Sequence, residues 1–268
     1  MDQGHRDASA EVARRPGYAA PALEKGLDIL ELLAEAAAPM SMRTIADRLG
    51  RSKSEIFRMV AVLFKRGYLV RDTSDRLSLT NRLFELGMRT PRPRQLTEIA
   101  IPVMERLSEE TGQSAHLVVV NQGETVVIAT TTGGADLNFA LRLGYRRPVL
   151  DATSGLLILA FQPESLRRRL IAESAAASGA AIDEAELIDT LETIRRQGSR
   201  VSESHDVVGG TDIGVPLLGP DGRAIASIVV PHLRRHGMAS PINAILTALG
   251  TAGEEISSQL LETGGSRF

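Results

Sequence analysis

The chain lacks cysteine and tryptophan, and its 268 residues include only six phenylalanines and three tyrosines. Without cysteine it has no disulfide bond, no thiolate metal ligand and no cysteine nucleophile. It also lacks a run of about 18 apolar residues that would cross a membrane, and its N-terminus lacks the apolar stretch of a signal peptide. We therefore expect a cytoplasmic protein with no membrane partner, long enough for one large or two smaller domains.

Lysine is also scarce, because 28 of the 31 basic residues are arginines. The charges are unevenly distributed within the net charge of −2. Residues 1–40 sum to −3, residues 41–94 to +8 and residues 95–268 to −7. A basic block beside an acidic remainder is typical of a nucleic-acid-binding module fused to another domain, although a solvated surface gives the same excess.

The basic block has the pattern of a helix-turn-helix. Apolar residues at helical spacing predict a first helix from Ala22, and Ser41 is placed to cap a short second helix that ends at Gly50. The segment Ser52-Lys53-Ser54-Glu55 has the spacing of a capping box and predicts the start of a third helix. Ile56, Met59 or Val60, and Leu63 form its apolar stripe.

Two apolar segments, Tyr68–Val70 and Leu77–Leu79, flank a polar turn and predict a β-ribbon after this helix. Helices followed by a ribbon indicate a winged helix-turn-helix, whose third helix enters the major groove with its N-terminus. A three-helix packing module without a ligand is the alternative. The residues expected to contact DNA are Arg43, Thr44, Ser52, Lys53, Ser54, Arg58, Arg71 and Arg76.

The domain boundary is predicted at the proline-rich segment Thr90–Arg94, where alternating prolines favour an extended chain. Residues 1–17 are polar and aperiodic, which indicates a flexible tail. The predicted organisation is a DNA-binding domain over 18–88, a linker and linker helix over 89–111, and a second domain over 112–268.

The second domain shows strand pairs joined by short polar turns, with helices before, between and after them. The pattern predicts strands at His116–Val120, Thr125–Thr130, Asn138–Leu143, Ile213–Leu218 and Ala224–Val230. A buried helix is expected at Ser154–Phe161, and an alanine-rich loop at 174–181. Hairpins rather than βαβ units favour an α+β domain built on an antiparallel sheet.

No sequence motif in this domain indicates catalysis. It lacks the nucleophile elbow, the phosphate loop and the dinucleotide fingerprint. Asp151, Ser154, Ser202, His205 and Asp212 contain acid and base groups, but no motif places them around one pocket. We expect no catalytic residues, no metal and no cofactor, and we expect His116 to be a core residue.

The order of motifs resembles the IclR family of bacterial transcription regulators from about Leu23 to Leu260. In the first domain the resemblance rests on residues 22–31, 52–58 and 67–69. In the second it rests on residues 110–112 with 116–117, on Pro148–Ala160, and on Ile213–Pro216 with Gly219–Arg223. The resemblance implies a winged helix-turn-helix, a GAF-like effector-binding domain and self-association as dimer or tetramer. It also implies a palindromic DNA operator and a small organic effector.

The effector-binding positions carried over from the family are Phe139, Leu141, Asp151, Thr153, Ser154, Ser202, Asp212, Val229 and Pro231. Several depart from the family pattern. Asp151 stands where a histidine is common, Asp212 where a cysteine is frequent, and Ser202 where an aspartate occurs. Val229 and Pro231 replace two serines that hold small oxo-acids in some members.

These departures predict an effector that is larger or more apolar than glyoxylate or pyruvate, such as an aromatic or medium-sized carboxylic acid or its ester. The function predicted from the sequence is therefore a DNA-binding regulator controlled by that effector, and not an enzyme. The alternative is a metabolite-sensing or hydrolytic protein that uses its winged helix for protein contacts.

Overall fold

The computed structural model describes residues 20–88, 91–133, 139–179, 182–233 and 241–264. The chain divides into two compact units, residues 1–90 and 91–268. The tail predicted over residues 1–17 lies outside the described residues. The helix predicted as a linker helix belongs to the second unit.

The first unit consists of helices and one β-ribbon. Its elements are α1 (Pro21–Ala34), α2 (Met42–Arg48), α3 (Lys53–Lys65), β1 (Leu69–Arg71), β2 (Leu77–Leu79) and α4 (Arg82–Met88). The two strands pair antiparallel, and Met40 forms a bridge to Leu77 beside them. The predicted helices and ribbon of this unit are confirmed.

One small core holds the first unit together. Ile29 of α1, Ile45 of α2 and Ile56 of α3 are fully buried in it, together with Val60 and Leu77. The predicted stripe of α3 is confirmed: Ile56 and Val60 are buried, and Met59 and Leu63 pack against the same core as partly covered residues. The opposite side of α3 stays exposed.

The second unit is built on one six-stranded antiparallel sheet with the strand order β5-β4-β3-β8-β7-β6. The strands are β3 (Ala115–Asn121), β4 (Glu124–Thr131), β5 (Arg146–Pro148), β6 (Arg200–Glu203), β7 (Thr211–Leu218) and β8 (Ala224–His232). The helices are α5 (Pro91–Thr111), α6 (Thr153–Ala160), α7 (Glu164–Ser178), α8 (Glu184–Gln197) and α9 (Ile242–Gly264).

Helices cover both faces of this sheet. Alternate residues of β7 and β8, such as Ile213 and Ile228, share one core with residues of α5 and α9. On the other face, Val229 packs in a second core with α6, α7 and α8. The fully buried helix α6 has no polar face because the sheet and α8 enclose it. The predicted α+β class with an antiparallel sheet is confirmed.

The structure corrects three local predictions. The segment from Pro91 is helical rather than extended, because the first turn of a helix needs no N–H donor and tolerates Pro91 and Pro93. Residues 139–143 form no strand, and the short strand β5 follows them instead. The alanine-rich segment continues α7 to Ser178, as the high helix propensity of alanine favours.

Candidate functional site

The first candidate site is the exposed N-terminal half of α3. Ser52 caps the helix: its Oγ accepts the N–H of Glu55 at 3.3 Å, and Oε2 of Glu55 accepts the Ser52 N–H at 2.8 Å. The predicted capping box is therefore confirmed. Hydrogen bonds from the backbone and hydroxyl of Ser52, together with the Lys25 ammonium, lower the pKa of Glu55 from 4.5 to about 2.

Two ion pairs connect the start of α3 to α1. Nζ of Lys25 lies 3.2 Å from Oε1 of Glu55, and Nη2 of Arg51 lies 2.9 Å from Oδ2 of Asp28. Surface pairs of this kind add little stability, but they fix the orientation of the helix terminus. The N–H groups at this end and its positive dipole are directed to solvent, where a phosphate is favoured.

The outward side of α3 presents basic and small polar residues. Lys53, Ser54 and Arg58 are exposed, and Arg58 lies about one turn beyond the capping box. Among the residues that the structure describes, Arg58 and Lys53 take part in no ion pair. Their donors are therefore available to an external partner. The Ser52 hydroxyl, by contrast, is already bonded to Glu55.

The other predicted DNA contacts lie on α2 and on the ribbon. Arg43 and Thr44 are exposed on α2; Arg43 lies 3.7 Å from Asp47, and the hydroxyl of Thr44 lies 2.9 Å from the Oγ of the cap Ser41. In the ribbon, Arg71 and Arg76 each pair with an aspartate of the same turn, at 2.5 Å and 3.0 Å. A phosphate would have to compete with these carboxylates.

The second candidate site is a cavity on the α6 side of the sheet, with a volume of about 520 Å³ including the part open to solvent. Strand register brings its walls together. Asp212 of β7 lies opposite Pro231 of β8, and Val229 of β8 lies opposite His116 of β3. The residues that line it are His116, Val118, Thr125, Val127, Phe139, Leu141, Tyr145, Arg147, Asp151, Ala152, Thr153, Ser154, Ser204, His205, Asp206, Asp212, Val229 and Pro231.

All but one of the predicted effector-binding residues line this cavity. They are Phe139, Leu141, Asp151, Thr153, Ser154, Asp212, Val229 and Pro231. Ser202 lies just outside the lining, where its Oγ is 2.7 Å from Oγ1 of Thr153. It therefore positions a lining residue.

Charged groups concentrate at one part of the lining. Nη2 of Arg147 lies 3.0 Å from Oδ1 of Asp206, and the Tyr145 hydroxyl donates a hydrogen bond of 2.6 Å to the same oxygen. This hydrogen bond and burial raise the pKa of Tyr145. Burial also raises the pKa of Asp212, and a hydrogen bond from Ser204 partly opposes this effect.

His116 is buried in the wall of the cavity and accepts a hydrogen bond of 2.9 Å from the N–H of Leu141 at Nε2. Burial lowers its pKa from 6.5 to about 4, so the imidazole is neutral at pH 7. This bond orients the segment that carries Phe139 and Leu141, which was expected to be a strand.

Ten of the lining residues were not among the predicted effector positions, including His116, which was expected in the core, and the charged or polar Tyr145, Arg147 and Asp206. Tyr145 and Arg147 flank or form the three-residue strand β5, and Asp206 belongs to the segment between β6 and β7. No local pattern marks such residues, because the ion pair between Arg147 and Asp206 joins positions far apart in the chain.

Two further kinds of feature bear on function, namely metal-binding groups and membrane-spanning helices. Within the described residues, no three or more His, Cys, Asp or Glu side chains are grouped to hold a metal ion. Two histidines stand four residues apart, the spacing of a helical metal pair, but His232 lies at the end of strand β8 and His236 lies outside the described residues. Over the same parts of the chain, no helix is long and apolar enough to cross a membrane.

Comparison with protein families assigns both units. Residues 22–73 match the IclR helix-turn-helix domain, and residues 91–258 match the bacterial transcriptional regulator IclR C-terminal domain. The chain belongs to the IclR family. It is thus a transcriptional regulator, with a DNA-binding domain followed by a ligand-binding domain, and not an enzyme.

Individual relatives agree with this assignment. The Escherichia coli regulator KdgR is 25% identical over 257 residues, which cover 94% of this chain and 97% of KdgR. The uncharacterized E. coli regulator RhmR is 27% identical over 80% of this chain and 83% of its own. Among solved IclR-family structures, the Thermotoga maritima IclR is 25% identical with a TM-score of 0.67, covering 89% of this chain and 98% of its own.

A homolog from Microbacterium hydrocarbonoxydans, solved in complex with 4-hydroxybenzoate, has the same fold. Its TM-score is 0.75 at 22% identity, and the match covers 89% of this chain and 98% of that one. The predicted membership of the IclR family is confirmed.

Proposed function

We propose that α3 reads the major groove of a specific operator, with Arg58 contacting a base and Lys53, Ser54 and the helix N-terminus contacting phosphates. The observation that carries this proposal is the exposed and unpaired guanidinium of Arg58 beside a firmly capped helix start. An arginine in this position has the length and donor geometry for a bidentate contact to guanine. Arg43, Thr44, Arg71 and Arg76 are proposed as flanking contacts.

The charge distribution supports the same proposal. The basic excess of +8 lies in residues 41–94, which include α2, α3 and the ribbon. Each phosphate contact releases condensed counterions, so operator affinity is expected to fall steeply as salt rises.

Fluorescence anisotropy tests the DNA-binding proposal. The protein is titrated onto labelled DNA from upstream of its own gene and onto random DNA of equal length, at two salt concentrations. We expect tighter binding to the upstream fragment and weaker binding at the higher salt. Equal binding to both fragments would contradict specific recognition of that region.

We further propose that the cavity of the second unit holds a small organic effector with an apolar body. Val118, Val127, Val229 and Pro231 supply an apolar wall. Val229 and Pro231 offer no hydroxyl to a compact oxo-acid, whereas an apolar body gains free energy against them. The homolog that holds 4-hydroxybenzoate gives an aromatic precedent within the same fold.

Calorimetry with glyoxylate tests the size and polarity of the proposed effector. We expect no tight binding, because glyoxylate would leave the apolar wall uncovered. A tight complex would contradict the proposal. Whether the effector is a carboxylic acid, as the sequence predicts, is a separate question that depends on the charges of the lining.

Self-association into a dimer or tetramer on a palindromic operator, in the cytoplasm, completes the proposal. A two-fold axis would present two α3 helices to two half-sites. Sedimentation equilibrium of the free protein tests this part, and a monomer at micromolar concentration would contradict it.

A further inference from the structure

The cavity carries more negative than positive charge. Three aspartates line it, Asp151, Asp206 and Asp212, against one arginine, Arg147. The lining also holds two histidines, His116 and His205. Arg147 is already neutralised by its 3.0 Å pair with Asp206. Within the described parts of the chain, neither Asp151 nor Asp212 has an ion-pair partner.

Both carboxylates line the same cavity, and a chain of neighbouring residues connects the strand of one to the helix beside the other. Asp212 is directly opposite Ser202 in the pairing of β6 with β7. The Ser202 hydroxyl is 2.7 Å from that of Thr153, which lies two residues after Asp151. Asp212 is also opposite Pro231, which belongs to the apolar wall. A ligand seated on that wall would therefore lie beside Asp212, in the cavity that Asp151 also lines.

We propose that the effector carries a protonated amine on its apolar body, with Asp212 and Asp151 as the anionic partners. This inference rests on the proposed effector function of the cavity and names the ligand class. A carboxylate ligand would add a third unpaired negative charge to a partly desolvated site, which is unfavourable. An ammonium compensates the existing charge and donates up to three hydrogen bonds.

The burial of Asp212 supports the same assignment. Burial raises the pKa of Asp212 even though Ser204, His205 and Arg147 lower it, so its charged form lacks full compensation. An ammonium in the cavity would supply the missing positive charge. Among the other polar groups of the lining, the Tyr145 hydroxyl is bonded to Asp206, and Nε2 of His116 accepts the N–H of Leu141.

Matched ligand sets test this inference at pH 7. Each set keeps one body and changes the head: 2-phenylethylamine, 2-phenylethanol and 3-phenylpropanoate form one set, and hexylamine, hexanol and hexanoate form another. Binding to the intact protein is measured by calorimetry and by the shift in melting temperature. We expect an amine in at least one set to bind about tenfold or more tightly than its alcohol, and the acids to bind least.

Two variants assign the effect to the cavity. Asp212→Asn keeps the shape but removes one of the two charges, and we expect it to reduce the preference for the amine over the alcohol severalfold. Asp189→Asn removes the same charge from the exposed surface of α8 and is expected to leave the preference unchanged.

Tighter binding of an acid than of its matched amine, or the absence of amine binding in every set, would overturn the inference. The proposed regulator function is judged separately, by operator binding without any ligand. If an acid binds the cavity and changes operator affinity, the proposed regulator function is supported and only the inference of an amine ligand is contradicted.

Discussion

The proposed recognition of operator bases depends most on one residue, Arg58. Replacing it with alanine removes a bidentate donor, so specific operator binding should weaken by roughly 1–3 kcal/mol. Binding to random DNA should change much less. Anisotropy on both DNAs measures the difference, and Arg168→Ala, on the exposed surface of α7, is the matched control. Equal losses on specific and random DNA would show a phosphate contact instead.

His116 predicts a dependence of stability on pH. Its pKa in the folded protein, about 4, lies below the ordinary value of 6.5, so the unfolded chain takes up a proton first as the pH falls. Its contribution to the free energy of unfolding is fully present above pH 6.5 and is lost as the pH falls through about 4. The whole contribution is roughly 3 kcal/mol, because each unit of pKa difference corresponds to about 1.4 kcal/mol.

The His116→Gln variant tests this dependence, since glutamine retains an acceptor for the Leu141 N–H but does not titrate. Urea unfolding of both proteins between pH 7.5 and 4 gives the difference in unfolding free energy. The wild type should lose stability relative to the variant over this range. A constant difference would contradict the assignment.

At the residue scale, the sequence predicts the cavity well where the likeness to a family guides it and poorly elsewhere. Asp151, Asp212, Val229 and Pro231 lie on or beside the strands and helix with recognisable patterns, and they meet in one cavity. The ion pair of Arg147 with Asp206 escapes such reasoning because only the assembled sheet brings the two together. The net charge of the cavity lining therefore could not be predicted from the sequence and is seen only in the structure.

At the scale of the element, the start of α3 predicts a second pH effect. The pKa of Glu55 is lowered to about 2, so its carboxylate stabilises the folded state above pH 4.5, and this contribution is lost as the pH falls through 2. Urea unfolding should show Glu55→Gln to be less stable than wild type at neutral pH. The difference in unfolding free energy should disappear as the pH falls from 4.5 to about 2. Glu24→Gln, on the exposed side of α1, is the control for a carboxylate without a capping role. A gap that stays the same at every pH would contradict the capping role.

The turn between α2 and α3 makes a separate prediction. Gly50 has a φ of +61°, and no atom lies close to where a Cβ would stand. Alanine at this position should therefore destabilise the fold only through the cost of left-handed backbone, about 1 kcal/mol. Gly26, inside α1, also has open space, but it is helical, so alanine should stabilise by up to about 1 kcal/mol. Chemical unfolding of Gly50→Ala and Gly26→Ala should therefore show opposite signs. The same sign for both would contradict this explanation of the turn.

Elements with strong periodicity or caps are the ones that sequence predicts. The helix α8 (Glu184–Gln197) and the first three helices of the first unit, α1 to α3, follow from such signals. The strands β5 and β6 are three and four residues long and lie at the edges of the sheet, so they carry too few alternating residues to be recognised. Their pairing is determined by neighbouring strands rather than by their own sequence.

At the scale of the whole molecule, regulation requires that the effector bind the operator-competent and operator-incompetent arrangements with different affinity. By reciprocity, a ligand that weakens operator binding must itself bind less tightly when the operator is present. The helix-turn-helix domain and the ligand-binding domain belong to different units, so the two ligands bind in separate parts of the chain.

Selection of bound sequences from a pool of randomised DNA is the most direct test of the central claim that this chain reads a specific operator. Such a pool samples operators wherever the target genes lie. We expect enrichment of an inverted repeat whose half-sites are centred about one helical turn apart, and we expect Arg58→Ala to lose the enrichment at particular bases. A pool that stays random after repeated selection would contradict the claim.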